Sequence, residues 1–476
     1  MKTPQGPATV TGGALSDESL AHGLKPRHLT LMGLGSAIGA GLFLGSGQAI
    51  GTAGPAVLVS YAIAGAIVVL VMRMLAEMAS AIPASGSFST YAEVALGRWA
   101  GFLLGWLYWF MLIMVLGVEV TGVAAIVSGW WPAVPQWVVA AVVVAVLGGV
   151  NLIGVRQFGE AEFWFAMIKV AAIVAFLVVG VLIILGVIPV SGSVLGDWAA
   201  HGGFAPEGWS GIAAGLLAVA FAFGGIEIVA IAAAEARDPR DAVARATRTI
   251  LWRILFFYLG SVAIIVALVP WDDSEALASP FVSVLELAGL DGAARLMEVV
   301  VALALLSSFN AQLYGTSRML FSLGKRHDAP APTTAVSSRG VPWVAVLVSV
   351  AFGVVAVVLN WRLPESLLSI LLNAVGSALF VVWLLITVSQ LRLRPRLEAE
   401  AAARGESMRL RMWGYPGLTW LTLAALVGLA GLMLTDPAAR DQLLATAGVS
   451  VFILLCYAVM RAVQRRGGER ERSPLG

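Results

Sequence analysis

The chain has 476 residues, 59% hydrophobic and only 12% charged, with a net charge of +2 and a mean hydropathy of +0.90. A soluble domain carries about 25% charged residues, so the composition excludes a soluble globular protein. It points to an all-α polytopic membrane protein. An outer-membrane barrel would show roughly ten-residue segments of alternating polarity, and no such pattern runs through the sequence. The single cysteine, Cys456, excludes an internal disulfide or a cysteine-based metal cluster.

The first 29 residues are polar and lack the apolar core and cleavage site of a signal peptide. Apolar runs of about 20 residues, enough to span a bilayer, then recur. They predict twelve transmembrane helices near 30–50, 55–80, 101–130, 136–154, 161–188, 209–235, 249–270, 293–322, 342–360, 366–390, 414–435 and 441–462. Loops are expected at Trp131–Pro135, Asp238-Pro239, Ala329–Pro332 and the charged stretch Arg392–Arg411. Lys25, Arg27, Arg98, Arg156, the 237–248 arginines, Lys325, Arg326, Arg339, the 392–396 arginines and Arg461–Arg466 collect on one side. Only Arg295, Arg362 and Arg440 fall on the other. Positive charge stays inside, so both termini are expected in the cytoplasm of a bacterial inner-membrane protein. The expected organisation is a cytoplasmic segment 1–29, one transporter domain 30–462 and a basic tail 463–476. Within the domain lie repeat one (30–188), repeat two (209–390) and two extra helices (414–462).

The first helix contains Gly33–Gly45, GLGSAIGAGLFLG, and the sixth contains FAFGGIE at 221–227. Each glycine costs a helix interior roughly 1 kcal/mol relative to alanine. Two readings stand for the first stretch. Gly35/Gly39 and Gly41/Gly45 fit close helix packing. Alternatively, the glycines unwind the helix. If helices 1–5 and 6–10 are inverted repeats, the two breaks occupy matching positions, a pointer to a transporter's central site. Free N–H groups near Gly39, Ala40 and Gly41 would then face a carboxylate. Carbonyls near Ala37 and from Phe221 to Phe223 would face an ammonium. That pair of poles matches an amino acid zwitterion.

GSAIGAGLF (35–43), AGPAVLVSYAIAG (53–65), MRMLAEM (72–78), GSFSTYA (86–92), GEAEFWFAMIKV (159–170), FAFGGIE (221–227), AAEARDP (233–239), WRILFFY (252–258), SRMLF (317–321) and RGVP (339–342) resemble the amino acid permeases of the bacterial amino acid transporter family. That family lies within the amino acid–polyamine–organocation superfamily. The resemblance runs from about Gly23 to Arg461. It implies twelve spans, a LeuT-type five-plus-five inverted repeat with broken helices 1 and 6, and proton-coupled amino acid uptake. Many relatives have threonine or serine where this chain has Ala40, so a hydroxyl contact to the substrate carboxylate is missing.

Lys169 stands within the apolar run of the fifth helix. The resemblance places it near the sodium position of sodium-coupled relatives, so its ammonium either couples transport to protons or acts as a fixed pin between helices 1 and 5. Intramembrane charges are functional candidates by default. Glu119, deep in the third helix, is expected at the pocket as a proton acceptor or ammonium partner, or as a hydrogen-bonded acid between helices. Glu227, just after the second break, caps the following half-helix or carries a proton. Arg73 and Glu77, four apart, are expected to pair. Phe221 is a candidate lid. Ser307, Ser308, Asn310, Asn373 and Ser377 offer polar contacts or helix–helix hydrogen bonds.

The expected function is uptake of a neutral amino acid by proton symport with alternating access. The partners are the substrate, the proton and the lipid bilayer, with no cofactor, metal or nucleic acid. An amino acid exchanger is the nearest alternative and a transporter-fold receptor a more distant one. No Walker-type phosphate loop or nucleophile–base constellation supports an enzyme.

Overall fold

The computed structural model describes residues 38–82, 87–153, 155–190, 198, 201–227, 239–363, 367–408, 410–435 and 437–472. Every regular element among them is helical, the solution open to an apolar chain that must satisfy its own backbone in lipid. The order begins with α1 (Ala40–Phe43), α2 (Gly45–Ala53), α3 (Val57–Ala81), α4 (Ser87–Leu96), α5 (Arg98–Trp130), α6 (Gln136–Ile153), α7 (Val155–Ile184) and α8 (Gly208–Ala222). It continues with α9 (Pro239–Leu268), α10 (Ser274–Ala278), α11 (Pro280–Leu287), α12 (Asp291–Lys325), α13 (Trp343–Arg362), α14 (Leu367–Ala403), α15 (Gly417–Met433) and α16 (Pro437–Arg472). Among the described residues eight helices are long and apolar enough to cross a membrane. Gly208–Ala220, Leu255–Leu268 and Gly417–Met433 are shorter apolar helices. The chain is a multi-pass membrane protein.

Several boundaries differ from those the sequence predicts. The charged stretch after Arg392 continues α14 as helix to Ala403 instead of forming a loop. Its side chains alternate between buried Leu393 and Leu397 and exposed Arg392 and Arg396, an amphipathic pattern that extends the helix beyond the apolar run. The basic tail likewise stays helical to Arg472. Stretches read only as connections hold the short helices α4, α10 and α11, the second capped by Asp273, whose carboxylate accepts the N–H groups of Glu275 and Ala276.

α5 runs through the interior against α12 and α14; α8 lies against α2, α3 and α14. α13 packs on α6, and α16 lies outside with Phe452, Leu455 and Val459 exposed, as lipid contact requires. Exposed Trp131, Trp137, Trp209 and Trp361 mark one end of the bundle, and Trp99, Trp343, Trp413 and Trp420 the other, as interfacial indoles do.

Two charge clusters tie the second, basic end. Fully buried Glu77 accepts from Gln390 at 2.8 Å, from Arg394 and from the Met412 backbone N–H. Arg394 also reaches Glu398 at 2.7 Å. The expected pairing of Arg73 with Glu77 is thus replaced. Arg73 donates to the Arg411 carbonyl at 2.9 Å and stacks over Trp413. Glu77 faces inward to α14, where two neutral donors and a guanidinium compensate its burial. In the second cluster Arg98 meets Asp328 at 3.1 Å, and Arg326 meets Glu93 at 3.2 Å.

Candidate functional site

The first interruption is visible at Ile38 and Gly39, bends that precede α1. Ala37 lies outside the described residues. The broken backbone is held by two opposite charges. The Ala40 N–H donates to both carboxylate oxygens of Glu119 at 3.2 Å. The Lys169 ammonium donates to the Ile38 carbonyl at 3.0 Å. A carboxylate therefore occupies the N-terminal pole of the new half-helix and an ammonium the exposed carbonyl, the arrangement favoured by the helix dipole and the orphan backbone groups. Ser308 completes the grip on Glu119 with a 2.7 Å hydrogen bond. Glu119 and Lys169 are both buried.

Gly39 is required here. A Cβ would stand 2.5 Å from both Glu119 Oε1 and Ser308 Oγ, so any side chain would push the carboxylate off the half-helix. The Gly41 N–H has no partner among the described residues.

The second interruption follows Ala222, where α8 gives way to turns through Glu227. Gly225 adopts φ of +95°, the left-handed region that glycine enters without a steric penalty. The Ala222 carbonyl, freed at the end of α8, accepts the Tyr258 hydroxyl at 2.8 Å. Glu227 bridges the turn, accepting from the Gly225 N–H at 3.0 Å and from the Trp383 indole at 2.9 Å. This carboxylate reaches back to the turn before it; the residues that follow, whose N–H groups it was expected to cap, lie outside the described residues. Phe223 is buried, stacked on Tyr258 with ring centroids 5.1 Å apart and edge-on to Tyr61 at 6.1 Å. Phe221 belongs to α8, but its side chain lies outside the described residues, as does that of Asn373.

The two breaks touch. A Cβ on Gly41 would lie 2.7 Å from the Ala222 Cα and 3.0 Å from its carbonyl oxygen, so backbone meets backbone where both helices are interrupted. On the side away from the basic end, Phe281 of α11 wedges between Phe43 and Phe176, at 4.9 and 4.6 Å between ring centroids.

The structure thus gathers Gly39, Ala40, Gly41, Glu119, Ser308 and Lys169 around the first break. Phe223 and Glu227 stand at the second. It adds groups that sequence reading passed over. Tyr258 and Trp383 hold the second break, and their signal in the sequence was slight because any membrane helix carries such aromatics. Buried Glu162 accepts from Ser307 at 2.8 Å. Its position seven residues before Lys169, hence on the same helical face, was a usable signal. Asn310 accepts from Asn151 at 2.8 Å. Ser377 instead meets Thr446, between α14 and α16.

The amino acid permease family model matches residues 28–467. Over 460 residues the chain is 54% identical to the aromatic amino acid transport protein AroP of Corynebacterium glutamicum, covering 96% of this chain and 98% of that one. It is 44% identical to the gamma-aminobutyric acid permease of Bacillus subtilis, covering 94% and 95%. The fold is shared with a manganese transporter of Eremococcus coleocola, in the crystal structure of its H236A mutant, at 17% identity and a TM-score of 0.57 over 96% and 95% of the two chains. Two touching helix breaks in a multi-pass helical bundle, matched from end to end by permease sequences, identify this chain as a member of the amino acid permease family.

Proposed function

We propose that the protein imports a neutral amino acid by proton symport, alternating access between the two sides of the bacterial cytoplasmic membrane. In this reading twelve spans form a five-plus-five inverted repeat plus two extra helices, in one domain over 30–462. Both termini are cytoplasmic, so the basic end faces inward. The substrate occupies the junction of the breaks. Its carboxylate takes the N–H groups of Gly39–Gly41, its ammonium faces the Ile38 carbonyl beside Ala37, and Phe221 closes over it. The relatives' names carry aromatic amino acids and gamma-aminobutyric acid. Both are zwitterions without net charge, which supports a neutral substrate; an aromatic one comes first because that relative is the more similar.

One observation carries the coupling: the Glu119 carboxylate already sits on the Ala40 N–H. A substrate carboxylate cannot share that pole with a second negative charge in a dry site. Protonation of Glu119 removes the repulsion and releases the N–H, so proton and substrate enter together. Lys169 stands in the same relation to the substrate ammonium, through the Ile38 carbonyl. By linkage, each ligand then raises the affinity for the other.

The test is uptake into proteoliposomes of phenylalanine, tyrosine, tryptophan and 4-aminobutyrate under imposed proton or sodium gradients, with and without internal substrate. Accumulation is expected with an inward proton gradient alone. Uptake that ignores that gradient and requires internal amino acid would establish exchange instead.

A further inference from the structure

We propose that Glu162 is a second seat for the coupling proton and its way out toward the basic end of the bundle. The proposal rests on the proton-coupled reading above. Glu162 lies in α7, seven residues before Lys169, about 10 Å along the axis and on the same face. It is fully buried. Its Oε1 accepts the Ser307 hydroxyl; Oε2 is buried and makes no close hydrogen bond among the described residues, with the Asn310 amide as the other polar group beside the carboxylate. A buried polar atom left open in this way needs an explanation, and a position that receives a proton supplies one.

The neighbouring residues Ser307 and Ser308 of α12 hold two different acids, Glu162 and Glu119. Lys169 is the cation whose field acts on both. With both acids ionised the buried trio would carry one net negative charge, and an uncompensated charge in such a place is expensive. One proton makes it neutral, and two carboxylates are available to hold it. In the transfer the Lys169 ammonium first gives one N–H proton to Oε2 of Glu162, forming the new O–H. The neutral amine left behind then takes the proton of the Glu119 O–H, which breaks, so that Lys169 regains its charge. The trio is neutral before and after, and no redox partner is needed.

The charged or titratable groups facing Glu162 among the described residues are thus Lys169 of its own helix and, through Lys169, Glu119 of α5. α12 contributes Ser307 and Asn310. Asn151 of α6, bonded to Asn310, carries the polar line onward toward the junction of α6 and α7.

The decisive experiment compares Glu162→Gln and Glu162→Asp with the unaltered protein in proteoliposomes, using radiolabelled phenylalanine, or 4-aminobutyrate if uptake selects it. Two rates are read: accumulation driven by a proton gradient, and counterflow exchange, which needs no net proton movement. Glu162→Gln is expected to lower accumulation about a hundredfold, the lower end of the scale for a lost proton-transfer group, with exchange retained. Glu162→Asp recovers part of the accumulation. Accumulation by Glu162→Gln close to that of the unaltered protein overturns the proposal. So does a parallel loss of exchange, which marks Glu162 as structural. Proton-independent uptake by the unaltered protein would instead overturn the symport reading itself.

Discussion

The first helix break and the basic end of the bundle both bury carboxylates, yet they hold them differently. At the break, Glu119 is gripped by a backbone N–H and a serine hydroxyl, and Glu162 by a second serine. One lysine serves both acids. At the basic end, Glu77 is met by Arg394, and Asp328 by Arg98. Arginine keeps its proton in proteins and binds carboxylates through a rigid fork, whereas a buried lysine gives its proton up far more readily. Residue type therefore separates a clamp from a group able to cycle. Burial, common to both regions, does not.

The strongest way to break this contrast is Lys169→Arg. The substitution keeps a cation beside the Ile38 carbonyl but removes a releasable proton. Gradient-driven uptake is expected to fall about a hundredfold, within the range for loss of an acid–base group, while the protein still folds and reaches the membrane. Uptake equal to the unaltered protein's would make Lys169 a clamp like Arg394.

Arg394→Ala asks the opposite question. It leaves Glu77 buried without its guanidinium, and removing one member of a buried pair costs about 3 kcal/mol or more. The expected result is a lower thermal unfolding temperature in detergent, with the proton-to-substrate ratio of the folded fraction unchanged. A changed ratio with normal stability would move the basic end into the coupling machinery.

The smallest effect is expected at the opposite end, where exposed Asp272 meets His201 at 2.8 Å. The hydrogen bond from His201 and its charge hold the Asp272 carboxyl below its ordinary value of 3.8. A depressed acid contributes stability above its unfolded value and loses it as the pH falls through the lowered folded value. Asp272→Asn should therefore unfold at nearly the same temperature as the unaltered protein in strong acid and slightly lower near neutrality. An exposed pair is worth little, so a large difference would show that this contact supports the packing at this end of the bundle.

Sequence alone was enough for the class of molecule, because lipid imposes long apolar helices whatever the tertiary arrangement. It also located both interruptions, since Gly39–Gly41 and Gly224-Gly225 stand where helix propensity is poorest. It singled out Lys169, Glu119 and Glu227, because a charge within an apolar run is conspicuous. Partners were another matter. The four-residue spacing of Arg73 and Glu77 suggested a local pair, but Glu77 turned to Arg394, 317 residues away. Glu162 stood within GEAEFWFAMIKV without an assigned role, and only the packing of Ser307 against it gave it one. The N–H of Ala40, reserved by spacing for a ligand, proved to be held by Glu119, 79 residues on. Periodicity and hydropathy fix what each segment must bury. Which charges meet depends on how the helices cross, and only the packed bundle decides that.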